Sequence, residues 1–178
     1  NQIKIVSPQI IGRLHLSEGC NIGEEPAPAK IIWPIKDQPK LLATTKNGKV
    51  GLVKWEFAGQ KPGTLENFLP GGIENNEIIN LIPLPKNESL SLGLLSTDGK
   101  FKRLPIHEVL DLSGRAATIV KLKDQIYLKS AVICFPKGEL IIATNFGRIV
   151  KIKISDENVP LMGKLAQGHQ IIRLFPEE

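Results

Sequence analysis

The sequence predicts an all-β protein, a propeller-like disc of about four blade-like units. Two observations lead there. An apolar run that ends in a small polar residue, a tight glycine turn and a cation recurs along the chain, and no window of a dozen residues keeps an apolar stripe at three-four spacing without Gly or Pro. The 16 glycines and 13 prolines among 178 residues interrupt the chain too often for long helices, while 42% hydrophobic residues suffice for a core. The length fits a single domain, 1–178.

The clear copies are Leu41-Leu42-Ala43-Thr44-Thr45-Lys46-Asn47-Gly48-Lys49, Leu94-Leu95-Ser96-Thr97-Asp98-Gly99-Lys100 and Leu140-Ile141-Ile142-Ala143-Thr144-Asn145-Phe146-Gly147-Arg148. Asn47-Gly48 and Asp98-Gly99 reach positive φ cheaply, so each copy is expected to be a hairpin closed by a two-residue turn. A degenerate copy runs from Ile3-Lys4-Ile5-Val6 to Gly12-Arg13, which puts turn glycines near 12, 48, 99 and 147. The strong copies are spaced by about 50 residues, the size of a blade. An apolar segment precedes each hairpin: Ile31-Ile32-Trp33-Pro34-Ile35, Ile78-Ile79-Asn80-Leu81-Ile82 and Ala131-Val132-Ile133-Cys134-Phe135. A last one, Gln170-Ile171-Ile172-Arg173-Leu174, has no hairpin after it and is free to complete the first unit, closing a ring.

On the strand leaving each turn, Val53 and Trp55, Leu104 and Ile106, and Ile152 and Ile154 occupy alternate positions and are expected to be buried. In the third copy Lys151 and Lys153 alternate with them, and in the others cations appear at Lys54, Lys102 and Arg103, which predicts one core face and one cationic face. Residues 107–123 are the best helix candidate, although Asp111-Leu112-Ser113-Gly114-Arg115 reads more readily as a loop.

Catalysis finds no support in the residue pattern. His15, His107 and His169 fall in separate units, and Cys20 and Cys134 are far apart, so neither a metal site nor a disulfide framework is expected. Tyr127 has no arginine beside it, Glu24-Glu25 and Glu177-Glu178 read as solvated surface, and no phosphate-binding glycine loop is present. Trp33 and Trp55 are expected in the core rather than as base-stacking platforms. No catalytic residue, metal or cofactor is therefore predicted. The cysteine usage suits a reduced cytoplasmic setting. Nothing approaches the length of an apolar membrane span or the anatomy of a signal peptide, and the missing initiator Met suggests an excised fragment.

Charge carries the functional expectation. Lys+Arg outnumber Asp+Glu by 23 to 18, a formal +5, which suits a polyanionic partner. One cation follows every turn glycine: Arg13, Lys49, Lys100 and Arg148. A radial repeat brings such positions to one rim, where they form a track for phosphates; for any single lysine the alternative is a charge that keeps a strand edge soluble. Arg115, Arg148, Lys151 and Lys153 are the leading candidates, expected within one stretch of duplex, followed by Lys49, Lys54, Lys100, Lys102, Arg103 and Lys164.

The stretch Val109-Leu110-Asp111-Leu112-Ser113-Gly114-Arg115-Ala116-Ala117-Thr118-Ile119-Val120-Lys121-Leu122 resembles the C-terminal repeat of the DNA gyrase A subunit and its topoisomerase IV counterpart, where a Gly-Arg-Ala element leads into the next blade's strand. Pro160-Leu161-Met162-Gly163-Lys164-Leu165-Ala166-Gln167-Gly168 is similar, with Lys164 at the arginine position. With the three hairpins, the resemblance covers the chain from about Ala29 onward. It implies a β-pinwheel of four-stranded blades, shortened to about four, whose cationic rim bends or wraps double-stranded DNA. It also implies a non-catalytic accessory domain of an ATP-dependent type II topoisomerase, working with the remainder of the A subunit and an ATPase partner subunit in DNA supercoiling. The family's basic box, Gln-Arg-Arg-Gly-Gly-Lys-Gly in form, has as its nearest equivalent Gln60-Lys61-Pro62-Gly63-Thr64, which lacks the arginines and the double glycine. Either the box lies outside this fragment, or DNA is bound without full wrapping. A propeller-like module that binds an acidic protein partner is the alternative function.

Overall fold

A computed structural model describes Gln2, Ile3, Ile5 and residues 39–178. The turn at Gly12-Arg13, His15, Cys20, Glu24-Glu25 and the segment around Trp33 lie outside the described residues.

Each strong copy is a hairpin: β2 (Lys40–Thr45) with β3 (Lys49–Val53), β6 (Ser91–Ser96) with β7 (Lys100–Pro105), and β10 (Glu139–Ala143) with β11 (Ile149–Lys153). The turns differ from the two-residue form expected. The amides of Gly48, Gly99 and Gly147 donate to the carbonyls of Thr45, Ser96 and Thr144 at 3.0, 3.0 and 3.1 Å. Only the glycine of each turn has positive φ, +77° in all three. This is a four-residue turn with left-handed backbone at its last position alone, which is why Phe146 can stand where Asn47 and Asp98 stand. The small polar residue of the motif also has a reason. Thr45 Oγ1 donates to the Lys49 carbonyl at 3.0 Å and Ser96 Oγ to that of Lys100 at 3.2 Å, while Thr144 Oγ1 accepts the Arg148 amide at 3.3 Å.

Two hairpins sit at the centre of four-stranded antiparallel sheets. The apolar segment before a hairpin belongs to the previous hairpin's sheet: β5 (Ile78–Leu84) pairs with β2 and β9 (Leu128–Cys134) with β6. The other edge is completed from further along the chain. β8 (Ala117–Thr118) lies on β3 with Thr118 opposite Lys49, and β12 (His169–Gln170) lies on β7 with Gln170 opposite Lys100. The last apolar segment thus completes the second unit and not the first, because the Gly99 carbonyl accepts the Ile171 amide at 3.0 Å, as the Gly48 carbonyl accepts that of Ile119 at 2.9 Å. The same register sets Arg115 level with Gln167 rather than with Lys164. β10–β11 remains two-stranded among the described residues, and β1 (Gln2–Ile3) pairs with β4 (Gly63–Thr64). The helix candidate shrinks to α1 (His107–Leu110), followed by a loop.

The blades stack face to face. Leu42 and Val50 of the first hairpin share a core with Leu92, Leu94, Leu104 and Ile106 of the second. Phe101 packs with Leu140, Ile142 and Ile154 of the third, while Leu41, Val53, Trp55 and Leu65 fill the first hairpin's other side. Val53, Trp55, Leu104, Ile106 and Ile154 are buried as expected and Ile152 is half-buried. The single core face was the wrong expectation for two of the hairpins. Stacking covers both sides of the first and second, and only β10–β11 keeps one covered and one open face, alternating buried with exposed on β10 and half-buried with exposed on β11, which leaves Ile141 and Ile149 open to solvent.

Gly99 and Gly147 share a φ of +77°, but a Cβ on Gly99 would lie 2.2 Å from the Ile172 carbonyl oxygen, whereas one on Gly147 meets nothing within 4 Å. Gly147→Ala should cost the backbone strain alone, about 1 kcal/mol, and Gly99→Ala clearly more. Urea unfolding of the two variants checks this; equal losses would mean that residues 170–172 do not pack on the second turn.

Candidate nucleic-acid interface

Two of the cations expected on the rim are inside the protein. Lys102 and Arg103 are both buried, because stacking leaves no solvent face on β7. The Lys102 ammonium donates to the carbonyls of Ile119, Gly163, Lys164 and Ala166 at 2.7, 2.8, 2.7 and 3.0 Å. An ammonium has three protons, so one is shared between two oxygens. Burial pushes its pKa down to about 8. Arg103 donates through Nε to the Val159 carbonyl and pairs through Nη2 with Asp156. Together they moor residues 156–166 to the second blade.

Arg148 is also engaged within the chain. Its Nε donates to Glu178 Oε1 at 2.8 Å, its Nη2 to Glu178 Oε2 and, at 2.8 Å, to the Arg173 carbonyl, and its guanidinium lies 4.1 Å from the Phe175 ring centroid. Glu178 is therefore not the solvated carboxylate the sequence suggested: its side chain is fully covered. Its pKa is drawn down to about 2, first by the Arg148 hydrogen bond. Lys151 pairs with Glu139 at 2.8 Å, Lys164 with Glu108 at 2.9 Å and Lys100 with Asp98 at 2.9 Å. Such partly exposed pairs are screened by water, add little to stability and exchange easily for another anion. Lys49, Lys54, Arg115 and Lys153 are exposed and have no ion-pair partner among the described residues. Arg115 does not join Arg148, Lys151 and Lys153: it bridges to Gly71 on the first blade, since β8 completes that blade's sheet.

A denser set of cations gathers around Lys49 and Lys100 from residues that the sequence pattern had not singled out. Residues 119–127 run from the first hairpin turn to the second, tied at one end by Ile119 to Gly48 and at the other by the Tyr127 carbonyl, which accepts the Thr97 amide at 2.8 Å. Val120 is buried and Leu122 packs on the core, so Lys121 and Lys123 between and beyond them point outward. Lys121 and Lys123 line a shallow depression together with Lys100 and Gln167. At the first turn the Lys46 carbonyl accepts the Leu128 amide at 2.7 Å, which adds Lys46, Lys49 and Lys129 to the row. The alternation Val120-Lys121-Leu122-Lys123 was the available signal, the same period-two rule that located the outgoing strands.

Stacked hairpins with exchanged edge strands define a β-pinwheel, and among the described residues no group of His, Cys, Asp and Glu is arranged to hold a metal. The fold matches solved structures of three such domains. A C-terminal domain of DNA topoisomerase IV shares 19% identity over 78% of this chain and 44% of its own, with a TM-score of 0.66. A DNA gyrase A C-terminal domain gives 19% over 78% and 45%, at 0.64, and the E. coli ParC C-terminal domain 13% over 76% and 55%, at 0.60. This chain spans less than half the length of the first two. No family model and no curated protein matches it. No helix among the described residues is long and apolar enough to cross a membrane.

Lys102→Met removes the shared donor of four main-chain carbonyls, that of Ile119 buried and the others partly so, and should cost about 3 kcal/mol in urea unfolding; a loss below about 1 kcal/mol would show that water reaches the cage. Glu178 has a folded-state pKa below its unfolded value, so its contribution is present above pH about 4.5 and lost as pH falls towards 2. The Arg148 Nε–H and Phe175 amide should accordingly exchange slowly at pH 6 and be released over that acid range, as NMR would register. Unchanged protection at pH 2 would contradict the carboxylate clamp.

Proposed function

We propose that this chain binds duplex DNA through its phosphates, without reading base sequence, and bends it. It would serve as an accessory, non-catalytic domain of an ATP-dependent type II topoisomerase acting in the cytoplasm, with cleavage and ATP hydrolysis performed by the rest of the A subunit and by the ATPase subunit. The observation that carries this reading is the row of exposed lysines Lys46, Lys49, Lys121, Lys123 and Lys129, without ion-pair partners among the described residues, between two successive turns. Lysine suits such contacts: it is a point charge on a flexible stem, and its contact with phosphate releases counterions whatever the base. Because the row follows the stacking direction of the blades, a duplex lying along it would curve. The names of the structures that share the fold, DNA topoisomerase IV and DNA gyrase A, support the assignment. Full wrapping is not expected, since Gln60-Lys61-Pro62-Gly63-Thr64 supplies a single cation and its Gly63–Thr64 pairs with β1.

A mobility-shift titration of a mixed-sequence duplex between low and moderate salt tests it. Binding should weaken steeply with salt, and Lys121→Ala/Lys123→Ala should flatten the log–log slope by about 0.9 for each phosphate no longer neutralised. Lys137→Ala, at the β9–β10 turn on the opposite ends of the strands, should change little. If the wild-type chain leaves duplex mobility unaltered at low salt yet retains an acidic polypeptide, the chain is an interaction module and the DNA reading is wrong.

A further inference from the structure

We infer that Arg148, Thr144 and the Phe175 amide form an oxyanion site which Glu178 fills from within the chain and which a backbone phosphate of bound nucleic acid takes over. The inference rests on the DNA-binding reading above and adds to it a site and a gate at the end of the lysine row.

The geometry is that of a built anion site. Both carboxylate oxygens of Glu178 are engaged, Oε1 by Arg148 Nε at 2.8 Å and Oε2 by Arg148 Nη2 and the Phe175 amide, the latter at 2.9 Å. Thr144 Oγ1 accepts the Arg148 amide at 3.3 Å, so its own proton is free to donate to an anion held beside that arginine. A guanidinium edge offers two parallel donors, and it accepts a carboxylate or the two non-bridging oxygens of a phosphodiester in the same way. The two anions carry the same charge of one, so exchange leaves the site electrostatically unchanged. The Phe175 ring against the guanidinium holds that edge in orientation.

Position supplies the second argument. Arg148 follows Gly147 as Lys49 follows Gly48 and Lys100 follows Gly99, so it is the third in a series of post-turn cations. Residues 171–178 leave the second turn, where Ile171 and Ile172 bond the Gly99 carbonyl, and reach the third, where Asn145 Nδ2 donates to the Glu177 carbonyl. They therefore stand to the second and third turns as residues 119–127 stand to the first and second. The earlier connector presents Lys121 and Lys123 outward; the later one delivers Glu178 onto the cation of the next turn. In the resting chain the row of free cations stops at that point, and displacement of Glu178 by a phosphate extends it by one blade.

Glu178→Gln tests the inference, with Arg148 Nε–H followed by NMR. Inorganic phosphate should shift that resonance saturably in the variant and at markedly higher concentrations in the wild type. On a duplex, the variant should bind severalfold tighter at fixed salt, with a log–log slope steeper by about 0.9, one phosphate more. Adding Arg148→Gln should return both to wild-type values. A folded Glu178→Gln chain whose affinity and slope match the wild type, while Lys121→Ala/Lys123→Ala still weakens binding, overturns the gate and leaves the DNA reading standing. Loss of duplex binding in every form, wild type included, removes the DNA reading instead. An Arg148 resonance in Glu178→Gln that ignores phosphate overturns the anion site.

Discussion

An isolated hairpin has two edges of unpaired amides and carbonyls, and the rest of this structure follows from how they are satisfied. The first two hairpins receive one edge strand from the segment before the next hairpin and the other from the loop region beyond it. Neighbouring units are thereby hydrogen-bonded into each other as well as packed. The turn glycine is where this closes most tightly: its positive φ turns the chain, and its missing side chain lets the following connector lie against it, with Val120 beside Gly48 and Ile172 beside Gly99. The connectors that carry the outward lysines, and the one that carries Glu178, are held in place by those contacts.

The repeat tolerates different chemistry at one geometric position. Three residues past the turn glycine stand Gly51, Lys102 and Val150. In the first blade the Pro70 ring lies 2.3 Å from where a Cβ of Gly51 would be, so proline fills the space. In the second, the space is lined by main-chain carbonyls and filled by a lysine. One solution relies on van der Waals contact and the other on charge-assisted hydrogen bonds, and each anchors the segment that crosses its blade.

The positions of the turns, the burial of the apolar residues on the outgoing strands and the all-β class were legible because they are local: a glycine with a small polar residue three positions before it, and apolar residues two apart. Strand exchange was not, since periodicity says that a segment is a strand and nothing about which neighbour it joins. Lys102 was misplaced for a related reason. Its charge reads as exposed although its parity is that of Leu104 and Ile106, which points to the core, and the acceptors that enclose it are backbone carbonyls, which every residue has and no sequence distinguishes. Glu178 reads as surface because its partner, Arg148, lies across a gap in sequence that only the connector's path closes. Lys121 and Lys123 could have been found, since the period-two rule applies to them unchanged.

Strand exchange also sets an order in time. A chain emerging from the ribosome makes the first hairpin long before the residues that complete it: β2 waits for residues 78–84 and β3 for Thr118. During that interval both edges of a strongly apolar hairpin are bare, available to any other nascent chain. Each of these two units is finished only when its successor has been translated, so the blades mature one step behind synthesis.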